Sequence, residues 1–195
     1  MKPLVILSGQ KWFGCEVLKI MLALNWRIAA VCSPAGDRLN ELAAENNLAV
    51  GSPAAIERIV PEAGADLLVC ADHRDFIPAS TRAKFALGVL AFHGSFLPRH
   101  RGGSAVEWTI RFRDPLAGAS LYWMDDGMDT GPLAARIAVP VNPSEDATAL
   151  WRRAIAPAGL ELFRQVFTEI EAGKITRIPQ EEFAATWEPA LRAKA

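Results

Sequence analysis

The sequence predicts an α/β fold in which an open, mostly parallel sheet carries helices on both faces. Short, continuously apolar runs alternate with segments whose apolar residues recur at helical spacing. Runs of the first kind, at residues 4–7 and 28–32, are typical of strands covered on both sides of a parallel sheet. The chain has 195 residues, 51% of them hydrophobic, so we expect one domain with a substantial core over residues 1–195.

The first half of the chain is predicted to alternate strands and helices. The predicted elements are, in order, a strand at 4–7, a helix at about 13–24, a strand at 28–32, a helix at 36–46, a short helix at 53–59, a strand at 66–71 and a helix at 78–87. Asp37 lies in the N-cap region of the second helix. His73, in the loop after the strand at 66–71, is interpreted as a solvated loop side chain.

The second half contains three further strands, at 88–93, 118–124 and 133–141, and two helical regions. The first helix begins at Ala105 with Ser104 as its cap. The second, longer region takes Ser144 as its N-cap and is divided into two pieces by Pro157, which cannot continue a helix. Residues from about 174 to 195 are expected to form an extended tail on the domain.

Charge and composition exclude several classes of protein. The net charge is −1, and the Lys and Arg residues are scattered, which argues against a large nucleic-acid footprint. Cys15, Cys32 and Cys70 are an odd number in no metal-ligand spacing, so we expect buried thiols and no metal site. No segment is long enough to cross a bilayer, and the N-terminal apolar run is too short for a signal peptide. A cytoplasmic enzyme is the simplest expectation.

A histidine stands where one of the predicted strands ends. The apolar run at 88–92 leads to His93, and Gly94, Ser95 and the Leu97-Pro98 pair follow it. The imidazole therefore leaves the sheet at the carboxyl end of a strand, where open α/β sheets keep their binding sites.

An acidic turn follows the next strand. The strand at 118–124 runs into Asp125-Asp126-Gly127, and the turn closes at Asp129-Thr130-Gly131. Asp129 can come back towards the loop after His93. A histidine paired with a carboxylate suits proton transfer near neutral pH.

The two segments resemble the motifs of the folate-dependent formyltransferase family. The family's first motif is Asn-x-His-x-Ser-Leu-Leu-Pro followed by Arg-Gly, and its second is Asp-x-Gly-Leu-Asp-Thr-Gly. By position, the family's catalytic histidine falls on His93 and its catalytic aspartate on Asp129, whereas its asparagine falls on Ala91. Leu-Pro-Arg-His-Arg-Gly at 97–102 is most similar to the hydrolase domain of 10-formyltetrahydrofolate dehydrogenase, which also lacks that asparagine. The resemblance implies a Rossmann-like formyltransferase fold.

The resemblance also implies residues for the two substrates. Those expected at the folate are Phe76, Ile77 and Pro78, beside the pterin, with Leu90, Ala91, Phe92, Asp126 and Gly127. Ser95, Arg99 and Arg101 are the candidate substrate-binding residues. The basic run at 99–101 has two interpretations, a solvated loop or a contact for an anionic group such as the folate glutamate or a phosphorylated acceptor.

The family chemistry assigns a role to each member of the pair. Attack on the formyl carbon places negative charge on the formyl oxygen, so an active site should offer a hydrogen-bond donor there and a proton acceptor nearby. We expect His93 to be the donor, kept partly protonated by Asp129, and Asp129 to relay a proton through an ordered water. Ala91 cannot donate to the formyl oxygen as Asn would.

Three functions follow from the resemblance. The first is a 10-formyltetrahydrofolate-dependent formyltransferase that acts on a small amine, and the second is a 10-formyltetrahydrofolate hydrolase that releases formate. The third is a folate-binding regulatory module that has lost catalysis. Methionyl-tRNA formyltransferases carry an additional C-terminal domain, and this chain ends at Ala195, so a tRNA substrate is not expected. A homo-oligomer is conceivable through tryptophans, namely Trp12, Trp26, Trp123 and Trp187.

Overall fold

The computed structural model describes residues 2–59 and 65–191. Within these ranges one sheet contains seven strands, which are β1 (Leu4–Gly9), β2 (Arg27–Cys32), β3 (Val50–Gly51), β4 (Leu67–Ala71), β5 (Gly88–His93), β6 (Leu116–Trp123) and β7 (Leu133–Pro140). Their order is β3-β2-β1-β4-β5-β6-β7. The pairs from β3 to β5 are parallel and β6–β7 is antiparallel. This confirms the predicted α/β fold with a mostly parallel sheet.

The helices lie between the strands in the predicted order. They are α1 (Lys11–Ala23), α2 (Arg38–Glu45), α3 (Ile56–Ile59), α4 (Ala79–Arg82), α5 (Ala105–Phe112), α6 (Ala147–Leu150) and α7 (Ala156–Glu171). Single 3₁₀ turns occupy Pro53–Ala55 and Glu182–Ala184, and a π-helical turn occupies Trp151–Ile155. In the part of the chain that the structure describes, no helix has the length and apolarity to cross a bilayer.

The chain divides into two compact units, and the first comprises Met1–Ala91 with Thr168–Lys174. Within it, β1 lies between β2 and β4, and its residues Val5, Ile6 and Leu7 are fully buried. Asp37 caps α2 as predicted, because its carboxylate accepts a hydrogen bond from the Leu39 amide at 2.9 Å. The prediction of one catalytic domain over the whole chain stays a prediction.

All three cysteines are buried in the first unit, as predicted for core thiols. Cys15 is 3%, Cys32 0% and Cys70 2% exposed. Burial raises the pKa of the Cys32 thiol to about 11, because the thiolate would lose its hydration. These side chains therefore act as small apolar residues.

The second unit comprises Phe92–Phe167 with Ile175–Ala195. Its β6–β7 hairpin pairs from Leu116 opposite Pro140 to Tyr122 opposite Leu133, so the connecting turn lies beyond Trp123. The rings of Phe92 and Trp151 meet edge to face, with centroids 5.9 Å apart, and this contact fixes the end of β5 against the π-helical turn. The hairpin thus presents the acidic turn at one end of the unit.

The long helical region begins later than predicted. Its cap is Asp146, whose Oδ1 accepts from the Ala149 amide at 2.7 Å, whereas Ser144 has a left-handed φ of 65° and lies outside the helix. The predicted division at Pro157 takes the form of a π-helical turn that ends at Ile155. Pro157 is the second residue of α7, which directly follows that π-helical turn.

Two other predicted helix features were wrong. The helix expected at 78–87 is reduced to one turn, Ala79–Arg82, and Phe85 is buried beyond it. Ser104 does not cap α5 through its side chain, because its φ is 63° and its hydroxyl instead accepts from the Leu191 amide at 3.2 Å. At Ser104 a tertiary contact overrides the local signal.

The tail has defined contacts within the second unit. Ile178 exchanges two backbone hydrogen bonds with Leu133, at 2.7 and 2.9 Å, and Trp187 forms a parallel bridge with Arg101. Residues 192–195 of the predicted tail lie outside the described residues. Of the tryptophans considered for a partner surface, Trp26 and Trp123 are buried, while Trp12 and Trp187 are about half exposed.

Candidate active site

His93 is the last residue of β5, and its ring is held by the loop that follows. Its Nε2 lies 2.7 Å from the backbone oxygen of His100. Because a carbonyl oxygen only accepts, Nε2 must carry a hydrogen and donate it. The other ring nitrogen, Nδ1, lies 3.5 Å from Oδ2 of Asp129. A hydrogen on Nδ1 would therefore be directed towards the carboxylate. The structure thus brings the two predicted catalytic residues together.

Asp129 is fixed through both carboxylate oxygens. Oδ1 accepts from the Tyr122 hydroxyl at 2.6 Å, and Oδ2 accepts from the Gly102 amide at 2.7 Å. Its backbone is left-handed, with a φ of 55°, a conformation that aspartate tolerates better than most residues. The His93 and Asp129 side chains are 11% and 15% exposed. They are therefore largely shielded from water yet reachable at the surface of the unit.

The turn that carries Asp129 is tightly built. Asp125 Oδ1 accepts from the Gly127 amide at 3.1 Å and from the Thr130 hydroxyl at 2.6 Å. Gly131 has no room for a side chain, since a Cβ there would lie 1.7 Å from the Trp123 carbonyl oxygen. Position 131 therefore requires glycine, because the backbone packs closely against the end of β6.

Gln180, from the tail, supports the same turn. Its Nε2 donates to the backbone oxygens of Asp129 and Gly131, at 2.8 and 2.7 Å. Its Oε1 accepts from Nε and Nη2 of Arg101, at 3.1 and 2.8 Å. The two sequence motifs are therefore joined through one amide of the tail.

Arg101 is buried, and the interpretation of its loop as solvated was wrong. The Arg101 side chain is fully buried and also pairs with Glu182, at 2.6 Å, and its guanidinium lies 4.8 Å from the Trp187 ring centroid. The hydrogen bond from Arg101 lowers the pKa of Glu182. Its predicted contact with an anionic substrate group is contradicted by this burial, because the guanidinium already serves the chain's own tail.

His100 and Arg99 form a charged cluster beside the site. His100 is 2% exposed, with Nε2 at 2.8 Å from Asp114 Oδ2 and Nδ1 at 3.0 Å from Glu188 Oε2. Arg99 is bidentate to Asp114, with its Nη2 at 2.7 Å, and these hydrogen bonds raise the pKa of Arg99. The Arg99 guanidinium, 40% exposed, is thus also occupied by a partner within the chain.

Asp114 has two opposing influences on its pKa. Burial raises it, but hydrogen bonds from Arg99 and His100 and their positive charge outweigh burial and leave the pKa of Asp114 below its usual value. The cluster is therefore an ion-paired network rather than a set of free cations.

Two other predicted positions serve the loop and the turn. Ser95 is buried and its hydroxyl donates to the Arg99 carbonyl at 2.6 Å, so a direct substrate contact, as predicted, is at odds with its place inside the loop. Asp126 and Gly127 are exposed at the turn before Asp129. Their predicted contact with folate stays a prediction.

The remaining predicted folate residues lie in the loop after β4 and along β5. Phe76 is 82% exposed whereas Ile77 is 5% exposed, and Pro78 precedes α4 at the surface. Leu90 and Ala91 are buried in the first unit, and Phe92 is half-buried in the second. Their contacts with folate also stay predictions.

His73 is not the solvated side chain that the sequence suggested. Its Nδ1 lies 2.8 Å from the hydroxyl of Ser8 at the end of β1, and burial lowers the pKa of His73. The strand order explains the contact, since β1 and β4 are neighbours and both residues are at their carboxyl ends.

Sequence reasoning missed Tyr122 and Gln180. Tyr122 is the only tyrosine in the chain and lies on the strand that enters the acidic turn, which is a usable signal. Gln180 lies 51 residues after Asp129 in a tail without periodicity, so no local pattern could have identified it. Over residues 2–59 and 65–191, no group of three or more His, Cys, Asp or Glu residues is placed to hold a metal ion.

Comparison with known proteins gives a consistent set of matches. Residues 27–166 match the family model described as formyl transferase. The mitochondrial 10-formyltetrahydrofolate dehydrogenase of Mus musculus is 33% identical over 200 residues, which cover 93% of this chain and 21% of that protein. The methionyl-tRNA formyltransferase of Lactobacillus delbrueckii subsp. bulgaricus is 24% identical over 96% of this chain and 64% of that protein.

A solved structure shows the same fold. It is an N-formyltransferase from Helicobacter canadensis in complex with folinic acid and dTDP-3-aminofucose, with a TM-score of 0.81 over 97% of this chain and 71% of that one, at 18% identity. The chain spans about a fifth of the length of the mouse dehydrogenase and less than two thirds of the tRNA enzyme.

Proposed function

Because the chain belongs to the formyl transferase family, we propose that it takes 10-formyltetrahydrofolate as its co-substrate and transfers the formyl group to a small amine. The observation that carries the proposal is the His93–Asp129 pair, in which Nδ1 and Oδ2 are 3.5 Å apart and both side chains are partly accessible. A donor and a proton acceptor side by side are what acyl transfer from an amide-like nitrogen requires.

The proposed reaction is a substitution at the formyl carbon. The amine nitrogen attacks that carbon, and the carbonyl oxygen becomes an oxyanion. Collapse of the tetrahedral intermediate then breaks the bond between the formyl carbon and the folate nitrogen. The attacking amine loses a proton and the folate nitrogen gains one, so the products are a formamide and tetrahydrofolate.

The hydrogen-bond pattern assigns a task to each residue. The Nε2 hydrogen of His93 is committed to the His100 carbonyl, so Nδ1 is the ring nitrogen available to the oxyanion, and it can donate there only when the ring carries a second proton. Asp129 orients that ring and accepts the proton of the attacking amine through an ordered water. Tyr122 and Gly102 keep its carboxylate in place by donating to each of its oxygens.

The folate is proposed to contact both motifs and the loop after β4. The proposed contacts are Phe76, Ile77, Pro78, Leu90, Ala91, Phe92, Asp126 and Gly127. An 82% exposed Phe76 supports this, since an aromatic ring left at the surface is available to a flat heterocycle. A small amine is proposed rather than tRNA because a net charge of −1 offers little attraction to a polyanion.

A hydrolase is the second candidate, and Ala91 favours it. The family position that holds asparagine has only a methyl group here, and Ala91 is buried. One donor to the formyl oxygen is therefore missing, which costs about 100- to 1000-fold in rate in comparable sites. The mouse relative, a 10-formyltetrahydrofolate dehydrogenase, points in the same direction. Attack by water would release formate and tetrahydrofolate.

The acceptor is tested by incubating the protein with 10-formyltetrahydrofolate, first alone and then with a panel of small amines. Tetrahydrofolate, formate and formamide products are quantified. We expect tetrahydrofolate to appear only with an amine; formate release without any amine would establish the hydrolase instead. Folate binding without turnover in either arm would contradict both and leave a regulatory module.

Restoring asparagine separates the first two candidates further. If the chain is a transferase slowed by the loss of one donor, Ala91→Asn should raise amine formylation, whereas unchanged rates would count against that reading. Ala138→Asn, at an exposed position of β7, is the control, because it makes the same substitution outside the proposed site.

A further inference from the structure

The tail crosses the site loop in a regular way. The C-terminal segment, defined here as residues 180–188, pairs with the loop after β5: Thr186 N donates to Pro98 O at 3.2 Å, Arg101 N to Thr186 O at 2.9 Å, and Glu188 N to Arg101 O at 3.3 Å. These are strand-like bonds between residues more than 80 positions apart. The segment is therefore an integral part of the second unit.

The Gln180 side chain within this segment has every polar site occupied. Its oxygen accepts two hydrogen bonds from Arg101, and its nitrogen donates to the carbonyls of Asp129 and Gly131. The orientation of the amide is unambiguous, because a guanidinium only donates and a carbonyl only accepts. A half-buried amide with four satisfied bonds is a rigid link.

The link holds two carbonyl groups of the turn, those of Asp129 and Gly131. Asp129 has a left-handed backbone, and the direction of its carboxylate depends on that backbone. Holding the carbonyls of Asp129 and Gly131 from one amide therefore fixes the direction from which Oδ2 faces His93 Nδ1. Without the amide, both carbonyls would lose their side-chain donor and the turn would gain freedom.

We propose that Gln180 is a positioning residue for Asp129, which makes the tail part of the catalytic apparatus. The inference rests on the proposed function, because it concerns the same reaction at the same pair. Gln180 touches no reacting atom; it acts by fixing the turn. Its substitution should lower kcat far more than it raises KM for 10-formyltetrahydrofolate, since six of the eight proposed folate contacts lie in the loop after β4 and on β5.

Gln180→Glu is the sharpest test, because it preserves shape and the contact with Arg101. At neutral pH the introduced carboxylate has no hydrogen to donate and places an oxygen against two carbonyls. We expect kcat to fall about 10- to 100-fold, the size of effect that a small misplacement of a catalytic group produces. KM should change less than about threefold, since most of the proposed folate contacts lie outside this turn.

A pH signature distinguishes positioning from general damage. A protonated carboxyl can donate one hydrogen bond, so the ratio of variant to wild-type kcat should rise as the pH falls to the range in which this carboxyl gains its proton. Gln165→Glu, at an exposed position of α7, is the matched control and should keep wild-type kinetics at every pH.

Each outcome has a clear meaning. Unchanged kcat in Gln180→Glu, or a loss that is flat with pH and matched by a lower Tm, would overturn the inference. If Gln180→Glu does not fold, Gln180→Asn replaces it; its shorter amide reaches fewer partners, so an intermediate fall in kcat is expected and wild-type kcat refutes the proposal. If the wild-type protein showed no turnover, the proposed function would be refuted. If the wild-type protein is active and His93→Ala is inactive, the proposed function stands whatever the result for Gln180.

Discussion

The Asp129 carboxylate is held by one hydroxyl and one backbone amide, each bonded to a different carboxylate oxygen. The Asp129 side chain is only 15% exposed, so water cannot readily replace either donor. Loss of one donor would therefore leave the carboxylate less well oriented. His93 is held in a complementary way, with one ring nitrogen bonded to a carbonyl and the other turned to the carboxylate. The pair therefore has little freedom to drift apart.

Tyr122→Phe tests this arrangement with the loss of a single oxygen atom. Hydrogen bonds to charged groups contribute about 1.5–3 kcal/mol, so we expect turnover of 10-formyltetrahydrofolate to fall by roughly tenfold or more. Steady-state kinetics measure the effect. Tyr122 is 5% exposed and its ring stays in place, so a fall explained by unfolding would show as a lower Tm. Unchanged turnover would mean that Asp129 does not depend on this hydroxyl.

The sequence predicts the elements well where the signal is local. The strand ending at His93 and the acidic turn could be identified because apolar runs and turn residues mark them directly. The start of the long helical region was predicted less accurately. Asp146 is its N-cap, whereas the predicted cap, Ser144, lies two residues earlier. Ser and Asp have similar cap preference, and only the backbone of the preceding loop decides between them.

The two candidate caps give a matched prediction for stability. Asp146→Ala should lower the free energy of unfolding by about 1 kcal/mol, because the Ala149 amide loses its acceptor. Ser144→Ala should change it by less than about 0.5 kcal/mol, as for surface substitutions in general. Urea denaturation of both variants measures the difference. Equal losses would contradict the assignment of the cap.

Contacts between residues far apart in the chain could not be predicted from the sequence. His93, Asp129 and the mostly parallel sheet were predicted from motifs and periodicity, whereas the roles of Arg101, His100 and Gln180 depend on contacts between residues 49 to 88 positions apart. A basic run of three residues looks the same in sequence whether it is solvated or buried. The tail that buries it, at 180–188, carries no helical or strand period of its own.

The stability of the fold in acid depends on the ion-paired cluster around Asp114. The pKa of Asp114 is lower in the folded protein than its ordinary value of 3.8, so below about pH 4 the unfolded chain binds more protons. The stabilisation from Asp114 is thus complete above that range and is lost as the pH falls through the lowered pKa. Asp114→Asn should be less stable at pH 7 and should lose less stability between about pH 4 and pH 2 than the wild type.

Equilibrium unfolding at a series of pH values provides the comparison for Asp114→Asn. Asp75→Asn, which removes an exposed carboxylate of the loop after β4, controls for the change in net charge. Parallel pH curves for Asp114→Asn and the wild type would show that the ion pairs of Arg99 and His100 do not stabilise the fold through Asp114.

The dependence of the reaction on the His93–Asp129 pair can be measured as the rate of tetrahydrofolate release from 10-formyltetrahydrofolate. The wild-type protein is compared with His93→Ala, in the presence of both water and amine acceptors. We expect turnover by the wild type and a loss of about 100-fold or more in His93→Ala, with folate binding retained. Equal rates in the two proteins would contradict a reaction that depends on the His93–Asp129 pair.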